Sequence, residues 1–568
     1  MSSNCASLNR CGKSSRRSLA ISVGQFAYWI MVALLFAWAA WQRFALPLDP
    51  ITDPDTWGYL SPALRKLIGA EFGHTFGRNF IYPGFVFLLL RVFGDFRAIT
   101  IAQHFLGLAA GGILLLTWRR ARVFVATPRI GCAVFETLGL LAAAIFLLAG
   151  DPILLETQLR PEGIAALLIG FNMYFAVQFA ACFFVEDRRV ASIPYGIATV
   201  FSSILLASAK PSFWLASIVV LLPVVMFFFQ RGLFWQKIAL GGGAAASAAL
   251  LLLPEHFLAR NDEGSQTLLP SVLFFMHANL IRDQMADDLR RGAKVPYPRE
   301  WLGRIHGALS AEIEKSMVAN HYQTLGFDPN YVMYHTSIEA QLRREFGGNV
   351  SALCAFYWFY YGRIWRQQPV LVLRKITRQM GNFYAPMCPV YRQRKSLALA
   401  DAYDRGATSL DKEPYRKIWI AYPPAAYFMN RTRLLAVSAP VVQQRAYIRK
   451  PLYVLAVTYL PLLLIAFSLS AGVLLQRKWR KHLGWLAALV LLAYLYNAAA
   501  CFEVAVIHEL DNPRYVIVQM FLSLLAQFFA LWFVLEFALE MRARAKSSCS
   551  DTGSTYRSGP DVRCGWCK

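Results

Sequence analysis

Residues 80–93 read FIYPGFVFLLLRVF, and whether this run crosses a membrane fixes the sidedness of most later loops. It is apolar throughout, yet a crossing helix needs about 20 residues and this run has about 14. It also carries Pro83 and Arg91. It reads as a juxtamembrane or re-entrant helix. With it outside the count, the next runs are Ala98–Trp118, Gly131–Gly150, Gly163–Val185, Ala191–Ala209, Ser212–Phe229 and Ile238–Leu253. The basic loops RRAR (119–122), EDRR (186–189) and RGLFWQK (231–237) then share one side, which the positive-inside rule makes cytoplasmic. If residues 80–93 crossed, all three would face out.

Working outward, Ile21–Leu46 is a first span, too long for a signal peptide and without a clear small-residue cleavage site. Pro451–Leu475, Gly484–Cys501 and Arg514–Leu539 close the set, with QRKWRKH (476–482) and RARAK (542–546) again inside. The expected fold is an all-α polytopic membrane protein with about ten transmembrane helices. Its parts are a cytoplasmic tail (1–20), an N-terminal transmembrane module (21–254) with a first outer loop (47–97), an α-rich outer-face region (255–450), C-terminal transmembrane helices (451–540) and a cytoplasmic tail (541–568).

Composition agrees. The 568 residues are 57% hydrophobic with a mean hydropathy of +0.39. Only 16% are charged, where soluble chains carry about 25%. A net charge of +24 could signal nucleic acid, but the cations sit in short clusters between apolar runs, as inner loops do. A basic pocket for an anionic lipid could add to the excess. Cys132, Cys182, Cys354 and Cys501 lie in apolar runs as plain buried thiols. Cys564 and Cys567 form a lone CxxC with no second pair for a zinc site.

Each outer loop carries ionisable residues close to a span. They are Asp53 and Asp55 in LDPITDPDTWGYLSPAL (48–64), then Asp151, Glu156, Arg160 and Glu162, then Lys210, and finally His508, Glu509, Asp511 and Arg514. Charges held at the edge of a lipid core are costly unless they have a task. Plainer readings stand beside that one. Asp53 and Asp55 can cap a short helix at 56–67. Glu156, Arg160 and Glu162 can form an interfacial salt-bridge set. Lys210 can snorkel to headgroups, and Arg514 can anchor the interface. His104 fits a satisfied core position, whereas His277, His321 and His335 could line an acceptor site or simply pack.

The order of these features resembles the glycosyltransferase-C superfamily of integral membrane glycosyltransferases, which includes protein O-mannosyltransferases and the aminoarabinose transferases of lipid A. The resemblance rests on PDTWGY (54–59), IYPGFVFLLLRVFGDFRAITIAQHFLGLAAGGILLL (81–116), the acidic loop ending in RPEG (160–163), Lys210–Pro211, and DNPRYV (511–516). Thr56 stands where that family commonly has Glu after the Asp, and residues 255–450 match no part of the pattern. The resemblance implies transfer of a sugar from a polyprenyl-phosphate donor to an envelope glycan, lipid or protein acceptor. It places the site on the outer face of a bacterial inner membrane.

On that reading Asp55 is the general base, chosen by its spacing to Tyr59. Asp53 is a second acceptor contact or a ligand to a divalent cation; no residue set has clear metal-ligand spacing. Lys210, Arg514 and Arg160 bind the donor phosphate. Tyr59, Glu162, Glu156, His508 and Tyr515 complete the acceptor side. The alternatives are a transporter or flippase for a lipid-linked saccharide, a non-catalytic subunit of an envelope assembly complex, and a polymerase or ligase with a diphosphate donor.

Overall fold

A computed structural model describes residues 15–72, 79–259, 263–319, 332, 337–411, 417, 419–510 and 512–554. His321, His335, Asp511, Cys564 and Cys567 lie outside them. Twelve helices build the first half. They are α1 (Ser15–Phe44), α2 (Thr56–Leu67), α3 (Ile81–Phe93), α4 (Arg97–Ala121), α5 (Cys132–Leu148), α6 (Gly150–Glu156), α7 (Glu162–Ala180), α8 (Arg189–Ala209), α9 (Trp214–Val219), α10 (Leu222–Phe228), α11 (Phe234–Ala259) and α12 (Glu263–Met276). The second half has α13 (Ala278–Arg291), α14 (Arg299–Ala319), α15 (Ile338–Glu345), α16 (Val350–Gln367), α17 (Pro369–Phe383), α18 (Leu399–Leu410), α19 (Pro423–Ser438), α20 (Ala446–Leu475), α21 (Arg477–Ile507), α22 (Pro513–Ile517) and α23 (Met520–Ser554). The chain is not purely helical: β1 (Ser396–Ala398) pairs antiparallel with β2 (Val441–Gln443).

Among the described residues eight helices are long and apolar enough to cross a membrane, and ten if each of two bent pairs is one span. The bends fall between α5 and α6 (56°) and between the Pro211–Val219 segment and α10 (44°). Each run counted as a span in the sequence falls on one of these helices or pairs. α3 has 13 residues, or about 20 Å of helix against a lipid core of about 30 Å. Gly94 stops it in the left-handed region (φ 63°), with its N–H on the Leu90 carbonyl. The run read as Arg514–Leu539 differs: it breaks at Val518–Gln519, so Arg514 sits on α22, ahead of the long α23. The Gln519 amide donates to the Tyr515 carbonyl and its oxygen accepts from Asn497, which draws the chain aside there.

Charge pairs gather the loops into two ends. At one end Arg119 meets Glu136 (3.0 Å), Arg120 meets Glu186 (2.7 Å) and Arg129 meets Glu540 (2.7 Å). These join the ends of α4, α7 and α23 to the start of α5. Cys132, also at this end, is exposed, because it opens α5 where the helix leaves the packed interior. Between the two ends, uncharged side chains join the spans. Asn172 bonds Tyr496, Ser202 and Ser203, and Asn497 bonds Tyr459 and Ser523. Such contacts tie lipid-embedded helices together at modest energy.

Tyr403, Trp419, Phe428 and Arg431 pack back onto the segment between α1 and α4. The Phe96 ring stacks on Phe428 of α19 at 4.3 Å, and Trp57 of α2 meets Trp419 at 5.9 Å. The Tyr403 hydroxyl donates to the Asp49 carbonyl (2.6 Å), while Arg431 pairs with the Asp49 carboxylate (3.1 Å).

Candidate active site

The loop between α1 and α2 is fastened before its acids are placed. Ile51 bridges residues 157–159 through two backbone hydrogen bonds, Ile51 N–H to the Thr157 carbonyl (2.8 Å) and Leu159 N–H to the Ile51 carbonyl (2.9 Å). That brings Asp53 and Asp55 beside Arg160. The two aspartates then divide the work that the sequence left open between capping and chemistry. One oxygen of Asp53 accepts from the Asp55 and Thr56 amides (2.8 and 3.1 Å), which secures the start of α2. Its other oxygen forms an ion pair with Arg160. Asp55 occupies the N-cap position but makes no side-chain cap bond. Its carboxylate points to Arg514 Nη1 (2.6 Å) and Arg160 Nη2 (3.2 Å).

Three further loops close around that pair. Glu162, the first residue of α7, binds Lys210 at 2.8 Å, and both are buried. Lys210 lies in extended backbone between α8 and the turn opening at Pro211. Its ammonium sits 5.1 Å from the Tyr515 ring centre. The Arg514 guanidinium lies 4.8 Å from the same ring and its Nη2 donates to the Tyr515 hydroxyl (3.1 Å). Asn512 caps α22 by accepting from the Arg514 amide, which sets the direction of that side chain. The His508 ring stacks on Tyr515 at 5.0 Å.

Three carboxylates (Asp53, Asp55, Glu162) thus face three cations (Arg160, Lys210, Arg514). Burial, and then Arg514, brings Arg160 down to about 10, so it stays charged at neutral pH. Burial, helped by Arg514, Lys210 and Lys375, pushes His508 down to about 3, which keeps its imidazole neutral. Arg160 Nε, Arg514 Nε and Glu162 Oε2 are buried without a hydrogen bond. Orphaned buried polar atoms cost free energy, and those that persist call for an explanation such as a ligand-binding role.

Two predicted residues sit elsewhere. Glu156 faces away from the cluster, clamped by Arg43 through two 2.8 Å contacts and by His104 Nδ1 at 2.8 Å. Arg43 also donates to the Leu147 and Ala39 carbonyls. Glu156 is therefore an interior fastening, and its position gives an acceptor no access. His104 belongs to the same clamp, as its apolar setting suggests. Tyr59 meets Tyr82 edge-on at 5.5 Å, and Tyr82 donates to Gln103, whose amide bonds the Glu156 and Gln158 carbonyls. It lines the loop that carries the acids and packs on Tyr82. His277 is buried with Nδ1 on the Leu273 carbonyl, a packing arrangement.

The sequence reading missed Lys375 and Gln379 on α17. Buried Lys375 reaches the carbonyls of Ala505 (2.8 Å) and His508 (3.3 Å), and Gln379 accepts from the Leu510 amide (2.7 Å). Together they hold the segment that leads to Arg514. A signal was present: Val372, Lys375, Ile376, Gln379 and Phe383 recur at helical spacing, so both polar groups fall on the buried stripe. Among the described residues no three His, Cys, Asp or Glu side chains gather as a metal-binding set. Comparison with protein-family models, with curated proteins and with solved structures finds no match to this chain.

Proposed function

We propose that the protein is a membrane glycosyltransferase that moves a sugar from a polyprenyl-phosphate donor to an envelope acceptor. The end of the bundle that carries RRAR, EDRR and RGLFWQK faces the cytoplasm on this reading, and the acid–arginine cluster faces out. The observation that carries the proposal is convergence. Asp55, Arg160, Lys210 and Arg514 come from four separate loops, yet they meet at one end of the spans with guanidinium N–H groups left to bind an oxyanion.

The chemistry then follows. The acceptor hydroxyl attacks the anomeric carbon as Asp55 takes its proton. The bond from that carbon to the phosphate oxygen breaks, and its electron pair leaves with the lipid phosphate, giving inversion. Arg514 and Arg160 offer forked donors to that phosphate, and Lys210 adds a point charge held by Glu162. The same two arginines hold Asp55 in this structure. A donor phosphate competing for them would release the carboxylate towards the acceptor. Base and phosphate site are therefore coupled through shared cations.

The test uses the purified full-length protein in lipid nanodiscs with polyprenyl-phosphate sugars of defined headgroup. Release of polyprenyl phosphate, dependent on an added acceptor fraction, is expected. Turnover of only diphosphate-linked donors, or movement of the intact donor across the bilayer without cleavage, would overturn the proposal.

A further inference from the structure

A second place at the outer end of the bundle is built for a ligand and belongs to no part of the cluster. A crevice of about 330 Å3 lies between the end of α1, the α5–α6 bend and β2. Trp41, Leu46, Leu148, Ile153 and Leu154 supply its apolar walls, and Gln42, Gln444 and Arg445 its polar rim. No acidic residue lines it. We propose that this crevice binds one phospholipid with an anionic headgroup, its chain against the apolar walls and its phosphate against the cations at the rim.

The height of the crevice fits. It sits where α1 ends and α20 begins, beside Trp38 and Trp41, which are 46% and 52% exposed. Half-exposed tryptophans at the ends of spans mark the level of lipid headgroups. The Tyr447 hydroxyl receives hydrogen bonds from Trp38 (2.9 Å) and Gln42 (2.6 Å), which ties α20 to α1 along one side of the opening. The bend itself is fixed from the ribbon: Gln393 accepts from the Gly150 amide (3.0 Å) and in turn receives a bond from Gln444 (2.9 Å). A Cβ at Gly150 would meet the side-chain amide of Gln444, which would have to swing aside.

Charge then selects the headgroup. Arg445 lies over the Trp41 ring at 6.0 Å, and Arg449 and Lys450 follow one turn along α20. The ribbon adds Arg394 and Lys395, since the Gln444 amide bonds the Lys395 carbonyl at 2.9 Å. All five side chains are exposed, and among the described residues none forms an ion pair with a carboxylate. Cations at headgroup level attract anionic lipid. A sugar donor is a poorer occupant, because nothing in the crevice can activate an acceptor. The inference therefore stands apart from the proposed chemistry.

The test is native mass spectrometry of the full-length protein in detergent, with phosphatidylglycerol or phosphatidylcholine of identical chains. The wild type should retain phosphatidylglycerol about fivefold better. Arg445→Gln/Arg449→Gln/Lys450→Gln should abolish that preference, and Ala45→Trp, which fills the crevice, should reduce retention of both lipids. Arg477→Gln/Lys478→Gln/Lys481→Gln, at the other end, should keep the preference. Melting temperatures of all variants in a neutral detergent, near the wild-type value, verify that they fold. Equal retention of the two lipids by the wild type would overturn the proposal. So would an equal loss of preference at both ends, or displacement of the lipid preference by a soluble acidic peptide.

Discussion

Two arginine–carboxylate assemblies stand near one another at the same end of this bundle, and they are finished differently. In the Arg43–Glu156–His104 clamp the arginine is 0% exposed, and its three terminal nitrogens all donate, two to Glu156 and one to main-chain carbonyls. In the Asp55–Arg160–Arg514 cluster Asp55 is 31% and Arg514 26% exposed, and the Nε of each arginine is unpaired. A buried arginine whose donors are all paired fixes a fold, and only His104 Nε2, at the edge of this clamp, has no partner. An incomplete network beside solvent leaves donors for something else. The same residue types thus serve structure in one place and fit chemistry in the other, and the difference lies in what remains unsatisfied.

Breaking the clamp should cost the most. Arg43→Met strands a buried carboxylate and should destabilise the protein by about 3–5 kcal/mol, read as a lower melting temperature and reduced yield. Comparable stability would mean that the clamp is dispensable and the contrast false. Next, Arg514→Lys keeps the charge and loses the fork, so donor affinity should fall by about 10-fold or more while the fold survives. Equal affinity would remove Arg514 from the phosphate site.

A smaller effect is expected at Lys375. Lys375→Met should raise the donor KM several-fold through a misplaced Arg514, with kcat changed less; a matching loss in both would indicate general damage. The smallest effect concerns pH. His508 and His277 are both held at about 3, His277 chiefly by burial and then by Lys375. The unfolded chain binds their protons below about 6.5, so stability should decline as pH falls from there towards 3. His508→Gln should flatten that decline and leave the pH–rate profile between 6 and 8 unchanged. A rate inflection that vanishes with His508 would instead make it an acid–base group.

Much of this was legible in the sequence for a physical reason. Runs of apolar residues long enough to span a lipid core can be counted, and the length of residues 80–93 sets them apart. The break at Val518–Gln519 was not legible, because a single Gln in an apolar run does not reveal that Asn497 will bond it. Within the cluster, a polar residue at the edge of a span is visible, but its partner is not. Glu156 and Glu162 occupy one short loop, and only packing turns the first to Arg43 on α1 and the second to Lys210. The division of labour between Asp53 and Asp55 depends on the turn at Pro54, which orients one carboxylate along the backbone and the other away from it.

The central claim is that Asp55 shares its arginines with a donor phosphate and serves as the base. It is tested most directly by Asp55→Asn, with donor binding and single-turnover transfer measured on the same preparation. The account predicts donor binding equal to or tighter than wild type, because a competing carboxylate is gone, and transfer slower by about 100-fold or more. Transfer near the wild-type rate would contradict it.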